Sequence, residues 1–507
     1  MYHKYNNIEV IIIAKATLKS IPVSQDEIVE LQIESMAYDN AAVARYKDFV
    51  IFVDRGAPGD VVKAQITTLR PNYARAKIVE IKTSSSEYRI DAPCKLYKVC
   101  GGCQWQHLPY EKQLEQKNLL MKQFTSRLQL KNWVVKPIVG VKDVIASEAK
   151  QSRSHRQEQI EIASSQQVAP RNDIWNYRNK VQYPVRTVES TGRLKAGYYE
   201  WHSNDLVNIK YCPIGNELFD SVVETVRELA PKYNIVAYDG KTKKGWLRHI
   251  CVRQALSTGA TLLTLVVINE KLSRSQDFVN ELINKHPALV GVCFNVNTGT
   301  TNVIYGPKTH VIQGKGYIFE NIKGINYKIS ATSFFQVNSI QAEKMLDIVD
   351  QLAPLSGDEK ILDAYSGVGL ITLYLAKKVK KVIGIEEIKQ SIEDAEFTAK
   401  KNNLSNACFI NGKVENKIED ILENEKPDVV ILDPPRGGCS KTVLQNLLDS
   451  KCNKIIYVSC NPATLVRDLE ILCENMNPFE IQSIQPIDMF PHTYHIESVV
   501  SLERNKK

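Results

Sequence analysis

From Glu27 to Thr83 the chain reads as short stretches rich in alternating apolar and polar residues. Examples are Ile28-Val29-Glu30-Leu31-Gln32-Ile33 and Val61-Val62-Lys63-Ala64-Gln65-Ile66, with Phe49-Val50-Ile51-Phe52-Val53 between them. A period of two sends alternate side chains to one face of a strand. Turn residues, notably Gly56-Ala57-Pro58-Gly59-Asp60, separate the stretches. Closely spaced short strands with such turns predict a small OB-like β-barrel. A polar helix is predicted from Tyr110. Residues 142–172 are rich in Ser, Gln, Glu and Arg and poor in large apolar side chains, the composition of a disordered or surface-looped insertion. Strand pattern resumes at Tyr177–Tyr183 and continues in Ile250–Arg253, Leu262–Val267 and Gly291–Phe294, which predicts an α+β central portion. From about Phe334 helices alternate with apolar strands at Lys360–Asp363, Val382–Glu386 and Val429–Asp433, and with a strand ending at Cys460. That rhythm predicts an α/β, Rossmann-like doubly wound parallel sheet. The expected division is an extension over 1–20, the barrel over 21–84, the central α+β domain over 85–330 and the doubly wound domain over 331–507.

Composition narrows the class. Hydrophobic residues make up 43%, which is ordinary for a globular protein. Sixty-five Lys and Arg against 57 Asp and Glu leave +8, compatible with a polyanionic partner. Arg70, Tyr73, Arg75 and Lys77 place basic side chains around an aromatic one on the barrel, which suits RNA contacts. The apolar run Val10–Ala14 is far shorter than the roughly 20 residues of a membrane span. It also lacks the length and cleavage signal of a secretory peptide. A cytoplasmic protein without a membrane partner is expected, and nothing calls for an obligate protein partner, so a monomer is the default. In a reducing compartment the 11 cysteines are ligands, nucleophiles or packing residues rather than disulfides.

Four constellations carry chemistry. Asp363-Ala364-Tyr365-Ser366-Gly367-Val368-Gly369 follows a strand and opens a helix, offering free N–H groups and a close backbone approach. Glu386 ends the next strand, where a carboxylate can take both hydroxyls of a ribose. With no second mononucleotide half and no P-loop lysine, an adenosine cofactor without pyrophosphate fits, and S-adenosylmethionine is the natural candidate. Asp433-Pro434-Pro435-Arg436 puts an acid and an arginine on the same sheet edge. Ser459-Cys460-Asn461-Pro462 puts a thiol where a buried strand ends, and Glu497 lies downstream in Pro491-His492-Thr493-Tyr494-His495-Ile496-Glu497. One thiol and one carboxylate base are what methylation of uracil carbon 5 requires, with His492 and His495 as alternative bases. Finally, Cys94, Cys100, Cys103 and the distant Cys212 can ligate zinc or an iron-sulfur cluster; the spacing favours iron-sulfur. Cys251, Cys293, Cys408, Cys439, Cys452 and Cys473 read as packing residues.

These motifs, with Ser333-Phe334-Phe335-Gln336-Val337-Asn338, resemble those of the RNA 5-methyluridine methyltransferases, in particular the bacterial ribosomal RNA (uracil-5-)-methyltransferases with a TRAM domain and a 4Fe-4S iron-sulfur cluster. The likeness runs from about Glu27 to Glu503, interrupted by 142–172. It implies that Cys460 is the nucleophile and Glu497 the base. It also implies that Gln336, Tyr365, Glu386 and Asp433 bind S-adenosylmethionine. Cys94, Cys100, Cys103 and Cys212 would hold the cluster, and the barrel would be the RNA-binding TRAM domain. Arg178 falls in the family's Tyr-Arg motif and would contact RNA. The implied product is 5-methyluridine in 23S ribosomal RNA. The alternatives are a transfer-RNA T-loop enzyme or a non-catalytic RNA-binding assembly factor.

Overall fold

The computed structural model describes residues 21–39, 41–128, 133–141, 174–474 and 477–505. The extension expected over 1–20 and the insertion expected over 142–172 lie outside the described residues.

Five strands form the barrel: β1 (Ile28–Met36), β2 (Ala41–Tyr46), β3 (Phe49–Asp54), β4 (Val61–Leu69) and β5 (Tyr73–Thr83). They close in the order β1-β2-β3-β5-β4, because β1 pairs antiparallel with both β2 and β4. The alternation read from the sequence is realised along β1, where Val29, Leu31 and Ile33 are buried. Of the basic residues read on the barrel, Arg75 is half-buried. Its guanidinium pairs with Asp39 and lies over the Phe52 ring. Arg70 and Lys77 are exposed.

Helix α1 (Tyr110–Thr125) starts where the sequence placed it. Its Leu120, Met121 and Phe124 join barrel residues such as Ile51 and sheet-side residues such as Leu465 and Ile496 in one continuous core. Burying this shared apolar surface is what fixes the barrel against the C-terminal sheet. A buried ion pair, Lys117 to Asp488 at 2.6 Å, crosses the same junction with both side chains fully shielded.

The central portion is a six-stranded sheet of β6 (Lys180–Thr187), β7 (Leu194–Ala196), β8 (Leu247–Gln254), β9 (Thr261–Val267), β10 (Leu289–Val296) and β11 (Lys308–Gly314), ordered β11-β10-β9-β8-β6-β7. Helices α2 (Glu217–Leu229) and α3 (Ser275–Lys285) share its apolar core. A hairpin of β12 (Tyr317–Ile322) and β13 (Ile325–Ser330) follows, turning through Lys323 and Gly324, both at positive φ.

The remainder alternates α4 (Ser339–Leu352), β14 (Lys360–Asp363), α5 (Leu370–Ala376), β15 (Lys381–Glu386), α6 (Lys389–Lys401), β16 (Ala407–Asn411), α7 (Ile418–Glu425), β17 (Val429–Leu432), α8 (Lys441–Asp449), β18 (Lys454–Ser459) and α9 (Pro462–Cys473), ending in β19 (Phe479–Ile487) and β20 (Glu497–Arg504). The seven strands run β16-β15-β14-β17-β18-β20-β19. The first five are parallel, while β20 and β19 are the antiparallel additions. Strand order reverses between β14 and β17, the crevice where open α/β sheets bind ligands. The outer edge of β19 is covered by Trp133–Val141, through the bridges Val135 to Ile484 and Val139 to Ile487. Among the described residues no helix is long and apolar enough to cross a membrane.

Candidate active site

The carboxyl ends of the parallel strands bring the chemistry-bearing residues together. Asp363 closes β14, Glu386 closes β15, Asp433 follows β17 and Cys460 follows β18. Strand β20 runs the other way, and its register pairs Ser498 with Ser459. Glu497 therefore begins its strand beside Cys460, an adjacency set by antiparallel pairing.

Local sequence explains each placement. Pro462 occupies the first turn of α9, where a missing N–H costs nothing, and Asn461 caps the helix by accepting the Ala463 N–H at 3.1 Å. Asn461 Nδ2 donates to the Arg436 carbonyl at 3.0 Å, tying the Cys460 turn to the Asp-Pro-Pro-Arg turn. In the glycine loop, Gly367 and Gly369 take φ of 54° and 82°, which side chains with a Cβ rarely adopt. The Glu386 carboxylate accepts the Gly367 N–H at 3.0 Å and the Ile388 N–H at 2.8 Å, so it braces the loop it faces. Gln336 is buried, and its carbonyl accepts from Asn179 Nδ2 at 2.8 Å. Tyr365 is half-buried against Cys439.

The electrostatics of this pocket are those of acids out of water. Burial, then the Glu497 and Asp433 carboxylates, push the Cys460 thiol up to about 12, with Arg436 pulling the other way. Burial and Asp433 hold Glu497 well above the carboxylate range, again opposed by Arg436. Burial and Asp363 push Asp433 up to about 7. Asp363 is itself pushed up to about 6 by burial, although Thr372 Oγ1 donates to it at 2.6 Å. Arg436 is thus the cation shared by Cys460 and Glu497, and its Nη2 lies 3.5 Å from His495 Nε2. His495 is lowered to about 3 by burial and Arg436, and His492 to about 3 by burial. Such imidazoles are poor proton acceptors at neutral pH. Both ring nitrogens of His492 are also engaged, Nε2 2.9 Å from the Ile174 carbonyl and Nδ1 3.2 Å from Gln113 Nε2. Of the three groups that the sequence offered as a base, Glu497 alone keeps a high proton affinity.

One side chain at this pocket was not anticipated. Tyr38, on the turn after β1, is buried with its ring edge-on to Tyr494 at 5.2 Å and to Phe124 at 5.1 Å. Burial raises its hydroxyl, and Cys460 and Glu497 both act on it electrostatically.

Cys94, Cys100, Cys103 and Cys212 line one separate hollow, walled by Leu96, Tyr97, Tyr198, Ile209 and Ile214. Burial raises all four thiols, Cys100 to about 11, and Cys100 and Cys103 are raised further by the other cysteines. The donor set is four soft sulfurs in an apolar cup, the chemistry that suits an iron-sulfur cluster. Among the described residues no group of three or more His, Cys, Asp or Glu is placed to hold a metal ion. Arg178 lies within electrostatic reach of Cys103 and Cys212. Of the six cysteines read as packing residues, Cys251, Cys293, Cys439, Cys452 and Cys473 are buried, while Cys408 is exposed.

Residues 302–505 match the model of the tRNA (uracil-5-)-methyltransferase family, and residues 23–79 match the TRAM domain. An uncharacterized RNA methyltransferase of Bacillus cereus is 37% identical over 490 residues, spanning 96% of this chain and 99% of that protein. Another from Listeria innocua is 38% identical over 479 residues, spanning 94% of this chain and 98% of its own length. The crystal structure of Pyrococcus abyssi tRNA (uracil-54, C5)-methyltransferase in complex with S-adenosyl-L-homocysteine shares the fold, with a TM-score of 0.69 at 24% identity, covering 94% of this chain and all of that one. Similarity at this level over the full length, together with both family models, places the chain in the S-adenosylmethionine-dependent RNA (uracil-5-)-methyltransferase family, as an enzyme that carries an N-terminal TRAM domain.

Proposed function

We propose that this enzyme methylates carbon 5 of a uridine in 23S ribosomal RNA, with Cys460 as nucleophile and Glu497 as base. The observation that carries the reading is the pairing of β18 with β20, which sets a thiol and a buried carboxylate side by side at the sheet's carboxyl edge. Carbon 5 of uracil is a weak nucleophile, and the target base must leave the stack to be reached from above its ring plane. The Cys460 thiol first gives its proton to water, with the Arg436 charge favouring the thiolate. Its sulfur then bonds to carbon 6, and the displaced pair makes carbon 5 electron-rich. S-adenosylmethionine, held by Gln336, Tyr365, Glu386 and Asp433, supplies the methyl group as an electrophile. Glu497 removes the remaining proton from carbon 5, the carbon 5–carbon 6 double bond re-forms, and the thiolate leaves. A base with a raised proton affinity suits this last step, since carbon acids give up protons reluctantly.

The four cysteines hold a 4Fe-4S cluster in this reading, supported by their shared apolar hollow and by the mutual influence of their thiols. The protein works in the cytoplasm as a monomer, and its barrel carries RNA to the site. A transfer-RNA target is the competing reading, favoured by the name of the matching family model and by the Pyrococcus abyssi neighbour. Mapping 5-methyluridine in ribosomal and transfer RNA from cells with and without the gene tests both. Loss at a 23S position supports the proposal, and loss only in the T-loop overturns it in favour of transfer RNA. No loss anywhere counts against catalysis on either RNA.

A further inference from the structure

His492 adopts φ of 67°, a left-handed conformation uncommon for a residue with a Cβ, and its surroundings hold it there from several sides. Its N–H donates to Gln113 Oε1 at 2.8 Å, and its carbonyl accepts the backbone N–H groups of Gln104 and Trp105, each at 2.9 Å. The Ile174 carbonyl beside Nε2 can only accept, so Nε2 carries the proton and Nδ1 accepts from Gln113 Nε2. The ring stacks on Trp175 at 3.8 Å and 19°.

Gln104 and Trp105 follow the cysteine loop, Ile174 and Trp175 precede residues bonded to the segment after Cys212, and Gln113 lies on α1. Gln104 directly follows Cys103. Trp175 leads into Asn176 and Arg178, whose N–H groups donate to the Pro213 and Ile214 carbonyls just after Cys212. On its other side, His492 opens the turn into β20. That turn is set by Thr493 Oγ1 donating to the Phe490 carbonyl at 2.8 Å and by the His495 N–H donating to Thr493 Oγ1 at 3.3 Å. Glu497 comes next, as the first residue of the strand.

We propose that His492 is a positioning residue that locks the turn before β20, so that the Glu497 carboxylate faces the carbon bonded to the methyl group, and that the lock depends on Gln104 and Trp105, which directly follow Cys103. The inference rests on the roles assigned above to Cys460 and Glu497. Cys460 is carried by β18 and α9, which do not contact His492 through any of these bonds. Loosening the turn therefore spares attack on carbon 6 and methyl transfer, and slows removal of the carbon 5 proton. The consequence is a methylated protein–RNA adduct that persists.

The test uses full-length protein with methyl-labelled S-adenosylmethionine and unmodified transcripts of 23S ribosomal RNA and transfer RNA. After denaturation, the label that migrates with protein is the adduct. His492→Ala and Gln113→Leu are expected to hold at least about tenfold more adduct than the parent, with methyl transfer in the first turnover unchanged. His492→Asn tolerates the left-handed conformation and keeps an amide donor for the Ile174 carbonyl, so it is expected to restore most turnover. Hydrogen exchange in His492→Ala should quicken together over 101–106 and 490–497. Parent-like adduct levels and exchange in His492→Ala and Gln113→Leu overturn the proposal. So does an equal loss of adduct formation and methyl transfer, which marks a merely structural residue. Glu497→Gln is the control: if it fails to trap adduct, the base assignment falls, and the exchange data alone then decide whether the lock exists. If His492→Ala does not fold, Gln113→Leu and His492→Asn decide by the same readouts.

Discussion

The Cys460 pocket and the four-cysteine hollow both bury thiols and both push them above their ordinary range, yet their neighbours differ in kind. Around Cys460 stand two carboxylates and one guanidinium. Around Cys94, Cys100, Cys103 and Cys212 stand mainly aromatic and aliphatic side chains. Cys100 and Cys103 are raised in part by the other sulfurs. Four such thiols can ionise together only if a strong positive charge sits among them, which a metal centre provides. In the proposed reading, a single thiol beside carboxylates and a guanidinium suits a negative charge that appears and disappears within one turnover. Burial is common to both, so it does not decide the role of a cysteine here. The charges facing it are what distinguish the two regions.

The largest effects should separate the two regions cleanly. Cys460→Ala is expected to lower methyl transfer by at least about 10⁴-fold while leaving iron content unchanged. Retained methylation, measured by label incorporation into RNA, would make Cys460 one more buried thiol and remove the contrast. Cys103→Ser is expected to reduce iron in anaerobically reconstituted protein from roughly four atoms per chain to near none. An unchanged iron content would show that the hollow is not the ligand set.

The next effect lies between the regions, at Lys117 and Asp488. Lys117 Nζ also donates to the Phe490 carbonyl at 3.2 Å, at the start of the turn that leads to Glu497. Lys117→Met leaves a carboxylate buried without its cation and should cost about 3–5 kcal/mol, read as a lower urea midpoint. Adding Asp488→Leu should recover most of that loss, because a well-packed apolar pair avoids the desolvation cost. Failure of the double variant to recover would mean that the pair orders the turn as well as balancing charge.

The legible parts of this molecule are those where one residue pattern settles one structure. Buried parallel strands read as apolar runs, and Asp363, Glu386, Asp433 and Cys460 follow those runs directly. The barrel was legible from its alternation and turns. Glu497 was found only as part of a motif, because its nearness to Cys460 comes from the β18–β20 register, which no local pattern displays. Tyr38 gave no signal at all, since its approach to Tyr494 depends on how the barrel docks across α1. The charge of Arg75 was visible, but its pairing with Asp39 across the barrel was not. His492 looked like a base because its type was visible, not the engagement of both its nitrogens.

The smallest effect tests the charge argument most directly. Iodoacetamide reacts with thiolate, so its rate at Cys460 follows the ionised fraction. With the thiol pushed up to about 12, that fraction rises about tenfold for each pH unit, with no plateau between about pH 7 and 10. Arg436 favours the thiolate, so Arg436→Ala should slow alkylation at a given pH. The guanidinium is exposed and screened, so the slowing should be only about threefold, and smaller still at high salt. Asp433→Asn removes a like charge and should quicken the same reaction once the carboxyl has ionised, above about pH 7. Peptide mass mapping of the alkylated site follows both variants. If the two substitutions shifted the rate in the same direction, packing rather than charge would control this thiol. The Cys460 pocket would then differ from the four-cysteine hollow only in how many sulfurs it holds.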